Sequence, residues 1–154
     1  NVLDLYNEFR SLTQAIGDAG IEYALCGGLA MAVHAIPRAT VDIDLMIEPG
    51  SLDEVRKVVG NLGYTVEAKP MAFAEGKVQI RRFTKLDPDS EDVLMLDLLL
   101  VTPAVREAWQ TRARLEWGGG ELMVVSREGL IQLKSIRGSA VDQEDISTLR
   151  GEKP

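Results

Sequence analysis

Two aspartates stand two residues apart in the string Val41-Asp42-Ile43-Asp44-Leu45. Alternate side chains of a β-strand point to the same side, so Asp42 and Asp44 share one face while their apolar neighbours occupy the other. Two carboxylates this close repel each other unless a cation neutralises them. A hard divalent cation with oxygen ligands, usually Mg²⁺, is the natural partner. The string therefore predicts a metal site on a strand.

A second feature, Gly27-Gly28, lies upstream where a short predicted strand meets a helix. The first backbone N–H groups of a helix have no partners within that helix, and they can hold an anion such as phosphate. A phosphate-binding turn followed by metal-binding carboxylates is typical of nucleotide chemistry. We therefore predict that Gly27 and Gly28 bind phosphate and that Asp42 and Asp44 bind metal.

The third feature is Asp97, which interrupts the almost continuously apolar segment 93–101. A lone ionised carboxylate there would carry a large desolvation cost. A cation neutralises it, several hydrogen bonds satisfy it, or the end of the strand lies open. With Asp42 and Asp44 it could hold two divalent ions roughly 4 Å apart, the arrangement used for in-line phosphoryl displacement. Asp97 would bind the metal near the acceptor and assist deprotonation of that acceptor.

Each motif alone has a purely structural alternative. An Asp-x-Asp string is common by chance in turns and at helix starts, and Gly-Gly is weaker still. The order of Gly-Gly, Asp-x-Asp on a strand and an isolated Asp in a buried strand is more specific. That order favours a functional site.

The elements that must position these residues follow from hydrophobic periodicity and from turn and capping signals. Ser51 and Glu54 match a capping box, Ser126 can cap a late helix, and segment 68–76 is typical of a loop. We predict a mixed α/β (α+β) fold with one mixed β-sheet flanked by helices and short C-terminal helices. The predicted helices cover residues 2–18, 29–35, 51–62, 103–114, 127–137 and 143–149, and the predicted strands cover residues 22–26, 40–47, 64–67, 78–84, 93–101 and 122–125.

Length and composition set the outer limits. The 154 residues predict a single domain, with a core over about 20–125 and a helical segment over about 126–150. A net charge of −7 argues against a broad nucleic-acid surface, although it leaves room for a local basic groove. One cysteine suits a reducing compartment, so we expect a cytoplasmic protein. No apolar run approaches the roughly 20 residues that span a bilayer, no signal peptide is visible, and the chain begins without Met.

The pattern Gly27-Gly28, Asp42-x-Asp44 and Asp97 resembles the polymerase-β-like nucleotidyltransferase superfamily. The resemblance covers about residues 20–150. It is strongest to toxin-type nucleotidyltransferases of the AbiE system and to antibiotic nucleotidyltransferases that modify aminoglycosides or lincosamides. Gly28 departs from the pattern, because many members have Ser there and its hydroxyl contacts a phosphate.

This resemblance implies the nucleotidyltransferase fold and a metal-dependent enzyme. Such an enzyme moves an NMP unit from an NTP to a hydroxyl or phosphate acceptor and releases pyrophosphate. It implies two Mg²⁺ ions and an NTP as donor, with Asp42, Asp44 and Asp97 as catalytic metal ligands. The base of the NTP stays open.

Further residues join the site through the same resemblance. Arg38 and Thr40 share the parity of Asp42 and Asp44, so Arg38 could contact a phosphate or pin a carboxylate, or else be a surface residue after a proline turn. Lys134 is similar to the late-helix lysine that reaches the triphosphate in toxin-type relatives.

Several charged and aromatic residues keep a structural interpretation as their default. Asp142 and Asp145 resemble an acidic segment that follows the late-helix lysine, but a solvated pair of charged helices is favoured for them. Arg81 and Arg82 face opposite ways on a strand, and one of them could line an acceptor groove. The residues given structural defaults, as helix-end packing, a buried thiol and core aromatics, are His34, Cys26, Trp109 and Trp117.

The resemblance leaves the acceptor and the partners open. A toxin-type enzyme would act on tRNA and have an antitoxin protein as its partner. An antibiotic-modifying enzyme would take a small molecule, and an acidic surface suits polycationic aminoglycosides. A non-catalytic binding domain or antitoxin-like partner with the same fold is the remaining alternative, although the presence of all three carboxylates speaks against a degenerate copy. No membrane partner is expected.

Overall fold

The structure, a computed structural model, describes residues 4–34, 42–138 and 140–151, without the side chains of 140 and 141. The helices are α1 (Leu5–Asp18), α2 (Gly27–Val33), α3 (Leu52–Asn61), α4 (Arg106–Gln110), α5 (Arg127–Arg137) and α6 (Ala140–Leu149). The strands are β1 (Ala24–Cys26), β2 (Asp42–Ile47), β3 (Tyr64–Glu67), β4 (Met71–Phe73), β5 (Val78–Leu86), β6 (Val93–Leu100), β7 (Ala113–Trp117) and β8 (Gly120–Val124).

The eight strands of the described residues form one mixed sheet in the order β3-β5-β6-β2-β1-β8-β7, with β4 also pairing β5. The β2–β6 and β1–β8 pairs are parallel, and the other pairs are antiparallel. The mixed α/β fold predicted from the sequence is therefore confirmed.

The two faces of the sheet differ in burial, as β6 shows. Its even-numbered residues, Leu94 to Leu100, are buried, whereas on the other face Val93 is exposed and Met95 and Leu99 are half-buried. The apolar segment 93–101 is expected to form a buried strand, and the structure shows it fully buried on one face only. Asp97 lies on the less covered face, which we call the carboxylate face.

Helix α1 packs on the opposite face. Its apolar stripe of Phe9, Leu12 and Ile16 is buried, as the three- and four-residue spacing predicts. Glu8 ties the helix to the sheet, because its Oε1 accepts hydrogen bonds from the Tyr64 hydroxyl (3.0 Å) and from Lys85 Nζ (2.9 Å).

Some predicted elements are wrong in type. Segment 68–76, predicted as a loop, contains β4, and the helix predicted over 103–114 ends at Gln110 and is followed by β7. Ser51 makes no side-chain capping bond, so the capping box is absent there. Ser126 does cap α5, since its Oγ accepts the Gly129 N–H at 3.0 Å.

Among the described residues, no helix is both long and apolar enough to cross a bilayer.

Candidate active site

Strand register brings four side chains to one level of the sheet. Cys26 on β1 pairs with Asp44 on β2, Asp44 pairs with Asp97 on β6, and Asp97 pairs with Arg82 on β5. Directly paired residues point to the same face, so these four form a row, and Asp42 lies two residues along β2 on that face. Three carboxylates, on two strands that are far apart in sequence, therefore share one surface.

Arg82 neutralises the buried Asp97. Its Nε donates to Asp97 Oδ1 at 2.7 Å and its Nη2 donates to Oδ2 at 2.9 Å, a two-pronged charge-assisted pair. Of the three possibilities that the sequence leaves for Asp97, a cation and hydrogen bonds are both observed, and Arg82 supplies both. The cation is a side chain of the protein itself.

The surroundings of Asp44 disfavour its charged form. Burial, followed by the charges of Asp97 and Asp42, raises its pKa from 3.8 to about 7. Burial and Asp97 also raise the pKa of Asp42, whereas Arg82 lowers it. The row therefore has more negative charge than its own cation offsets, so added positive charge would stabilise it.

Gly27 is fixed by two constraints at once. Its φ is +69°, a left-handed conformation that favours glycine. A Cβ at this position would also lie 2.7 Å from Asp44 Cγ and would overlap Asp44 Oδ2. The first residue of α2 therefore packs directly against the Asp44 carboxylate, which places the Gly-Gly turn beside the Asp-x-Asp strand.

Known proteins resemble this chain in structure. No protein-family model and no curated protein matches its sequence. TM1012 from Thermotoga maritima, a presumed nucleotidyltransferase, aligns with a TM-score of 0.66 at 12% identity over 96% of this chain and 93% of its own. ANT(2'')-Ia, solved in complex with adenylyl-2''-tobramycin, aligns with a TM-score of 0.61 at 13% identity over 93% of this chain and 86% of its own. JHP933 from Helicobacter pylori gives a TM-score of 0.50 at 15% identity over 97% of this chain and 67% of its own.

The chain has the nucleotidyltransferase fold. The similarity to TM1012 and ANT(2'')-Ia runs over 96% and 93% of this chain. At these identities the likeness establishes the fold alone, and the roles of individual residues stay predictions.

In this nucleotidyltransferase fold the late helices carry a buried ionic network. Lys134 Nζ donates to Asp145 Oδ2 at 2.9 Å and lies 3.7 Å from Asp142 Oδ1. Arg137 donates to both carboxylate oxygens of Asp142, at 2.7 and 2.6 Å. Asp142 and Asp145 are buried, so the favoured interpretation of a solvated pair of charged helices is wrong. Burying these charges is tolerable because each has a close counter-ion.

Charges of this network affect the pKa values of two groups in the row. Arg137 lowers the pKa of Asp44, and Lys134 acts in the same direction on Cys26, whose thiol pKa is nevertheless raised well above its usual value by burial and by the neighbouring carboxylates. Charged residues of α5 therefore influence the row, and Lys134 itself is buried and paired with Asp145. Cys26 is a buried, protonated thiol, as expected.

The remaining predicted residues divide into two groups. Arg38 and Thr40, predicted to contact the nucleotide, lie outside the described residues. His34 Nε2 lies 2.8 Å from the Val125 carbonyl oxygen. Trp109 is buried, and the guanidinium carbon of Arg112 lies 3.8 Å from the centre of the Trp109 ring. His34 and Trp109 therefore have the structural roles expected of them.

The carboxylates fit a hard divalent cation by their chemistry. All are oxygen donors on one face, and the pKa of Asp44 is raised first by burial and then by the charges of Asp97 and Asp42. Among the residues that the structure describes, no set of three or more His, Cys, Asp or Glu side chains is arranged to hold a metal ion as it stands. Both oxygens of Asp97 face the Arg82 guanidinium in this arrangement.

A groove of about 700 Å³ lies elsewhere, between α1 and the β7–β8 hairpin. Trp117, Arg10 and Arg112 line it, and none of the three carboxylates does. The candidate site is therefore the open carboxylate face, and this groove is a separate feature.

Proposed function

We propose that this protein is a metal-dependent nucleotidyltransferase that moves an NMP unit from an NTP to a hydroxyl or phosphate acceptor. The observation that carries the proposal is the register pairing of Asp44 with Asp97, with Asp42 on the same face, within a nucleotidyltransferase fold. The acceptor oxygen forms a bond to the α-phosphorus, the bond from that phosphorus to the oxygen bridging to the β-phosphate breaks, and pyrophosphate leaves. The acceptor hydroxyl would give up its proton to Asp97 or to solvent.

The residues divide the work by position. Asp42 and Asp44 would hold two Mg²⁺ ions, and Asp97 would hold the one nearer the acceptor. Bound there, the ions offset the charge of the triphosphate and lower the pKa of the acceptor hydroxyl. The backbone N–H groups of Gly27 and Gly28 would hold the phosphates, and Lys134, Arg38 and Thr40 would add contacts to the nucleotide.

We propose two acceptor classes, a tRNA and a polycationic small molecule. The net charge of −7 favours the second, since an acidic protein attracts a polycation and repels a nucleic acid. If the acceptor is a tRNA, we propose an antitoxin protein as a partner. A labelled-NTP transfer assay that offers total tRNA and a panel of aminoglycosides in parallel separates the two classes by the product that carries label.

Nucleotide binding is tested first by thermal unfolding with each of the four NTPs, with and without Mg²⁺. A ligand that binds only the folded state must raise Tm, by about 5–10 °C when present at about a hundred times its Kd. We expect a Mg²⁺-dependent shift for at least one NTP in the wild type and its loss in Asp44→Asn. Asp53→Asn is the matched control, because the Asp53 side chain on α3 is 90% exposed.

Two results would contradict the proposal. The first is the absence of any Mg²⁺-dependent shift with all four NTPs, which would favour a non-catalytic binding domain. The second is an undiminished shift in Asp44→Asn, which would place the nucleotide away from the carboxylate face.

A further inference from the structure

The pair between Arg82 and Asp97 occupies a carboxylate that the proposed function needs for metal. Both Asp97 oxygens accept hydrogen bonds from one guanidinium, and the Asp97 side chain is only 9% exposed. A carboxylate keeps further lone pairs in such a pair, but a divalent cation placed on them would lie a few ångströms from the guanidinium charge. Metal and Arg82 therefore compete for the same carboxylate.

Arg82 is placed so that it can leave. Its side chain is 34% exposed, whereas that of its partner is buried, and the pair lies at the open carboxylate face. Its other electrostatic partners are Asp42 and Asp44, the remaining two carboxylates of the site. Its charged group therefore interacts with the three carboxylates and can reach solvent without breaking the core.

We propose that Arg82 is a displaceable counter-ion, which holds Asp97 in the metal-free protein and yields it to a divalent cation when the nucleotide arrives. The inference rests on the proposed function. In the absence of nucleotide, a divalent cation must displace the Arg82 guanidinium from a site where only the carboxylates offset the positive charge. An NTP brings several negative charges that can accept the released guanidinium, so nucleotide and metal should bind cooperatively through Arg82.

Arg81 provides a matched control. It is adjacent in sequence and carries the same charge, but it pairs with Leu98 in the register and faces the other side of the sheet. Its one side-chain hydrogen bond among the described residues goes to the neighbouring Ile80 carbonyl, at 3.4 Å. Arg81→Gln and Arg82→Gln therefore change the net charge equally, and only the second frees Asp97.

The test is a Mn²⁺ titration followed by electron paramagnetic resonance, with and without each NTP. Without nucleotide, we expect Arg82→Gln to bind Mn²⁺ about tenfold more tightly than wild type, a difference of about 1.4 kcal/mol. Arg81→Gln should stay within about twofold, since its charge is screened by solvent. The gain in Mn²⁺ affinity on adding NTP should be large in wild type and small in Arg82→Gln. Equal Mn²⁺ affinities for the two glutamine variants would overturn the inference.

A second variant guards against loss of the fold, because removing one member of a partly buried pair can unfold a protein. Arg82→Lys keeps the charge but loses the two-pronged geometry, so it should fold and bind Mn²⁺ about threefold more tightly than wild type. An affinity for Arg82→Lys equal to or below that of wild type would count against the inference.

The inference and the proposed function fail in different ways. If wild type binds Mn²⁺ with an NTP, Asp44→Asn does not, and Arg82→Gln matches Arg81→Gln, only the role of Arg82 is wrong. If neither wild type nor Arg82→Gln binds Mn²⁺ with any NTP, the proposed function fails as well.

Discussion

At the scale of single residues, Asp44 is a half-buried acid among like charges. Asp42 follows on the same strand, Asp97 is its register partner, and the backbone of Gly27 packs against its carboxylate. This placement costs stability in the absence of a cation, and it concentrates negative charge where a cation would be held. The protein should therefore be less stable without its ligands than the same fold with a neutral residue at this position.

We predict that the pH dependence of stability reports this cost. The folded-state pKa of Asp44 is about 7, above its ordinary 3.8, so the stability associated with its neutral form is present below about pH 4 and is lost as pH rises through 7. In chelator, the stability of Asp44→Asn relative to wild type should rise between pH 4 and pH 7, by on the order of 2–3 kcal/mol from pH 5 to pH 8.5. Thermal unfolding across this range measures the difference.

The matched control for this comparison is Asp53→Asn, whose exposed side chain should give a small difference that does not change with pH. The prediction would be wrong if the difference between Asp44→Asn and wild type were the same at pH 5 and pH 8.5.

The sequence identifies the three carboxylates but misses their cation. Asp42 and Asp44 are recognisable by their spacing, and Asp97 is recognisable by its apolar neighbours in sequence. Arg82 has no such signal, because an arginine beside another arginine on a strand is ordinary. The signal that could have found it is the hairpin: two strands joined by the polar turn after Leu86 bring Arg82 opposite Asp97 once Leu86 and Val93 are paired.

At the scale of elements, the start of α2 decides where the strand carboxylates lie. Gly27 has a φ of +69° and directly abuts Asp44, so its lack of a side chain serves both backbone conformation and packing. The turn and the strand are therefore one steric unit, although 15 or more residues separate them in sequence.

We predict that Gly27→Ala is more destabilising than backbone strain alone would explain. Gly20 is the matched control, because its φ is +74° and a Cβ there would meet nothing within 4 Å. Gly20→Ala should cost about 1 kcal/mol from the left-handed conformation, and Gly27→Ala about 2–4 kcal/mol because overlap with Asp44 adds to it. Denaturant unfolding of both variants measures the two costs, and equal costs would contradict the prediction.

The elements that periodicity misassigned have a common cause. Segment 103–114 contains enough apolar residues at helical spacing to resemble one helix, but the chain uses Ala113–Trp117 as an edge strand paired with β8. Strand β4 is three residues long and pairs only with β5. Short edge strands owe their conformation to a neighbouring strand, which local sequence does not reveal.

At the scale of the whole molecule, the sheet and the late helix α5 both contribute charges that act on the candidate site. Their influence meets at Asp44 and Cys26, whose ionisation responds to Arg137 and Lys134 as well as to the strand carboxylates. The fold class and the sheet-plus-helices organisation were predictable from alternating apolar patterns. The strand order was not, because it depends on pairings between segments that are far apart in sequence.

We predict that ligand binding stabilises both the sheet and the late helices. In hydrogen exchange, Mg²⁺ with the NTP that shifts Tm should increase protection in α2 and β2 and also in α5 and α6, with little change in β4 at the sheet edge. The response should disappear in Asp44→Asn. Protection confined to the sheet would show that the late helices, and with them Lys134, take no part in nucleotide binding.

The sheet order also governs when the site can exist during synthesis. Strand β2 pairs with β6 about fifty residues later, and β1 pairs with β8 about a hundred residues later. Parallel pairings between such distant segments form slowly, because a long loop must close before any contact compensates its lost entropy. A nascent chain that has left the ribosome only as far as β5 contains Asp42 and Asp44 but not Asp97. The repulsion between Asp97 and the other two carboxylates therefore arises late in synthesis, when most of the apolar core is available to oppose it.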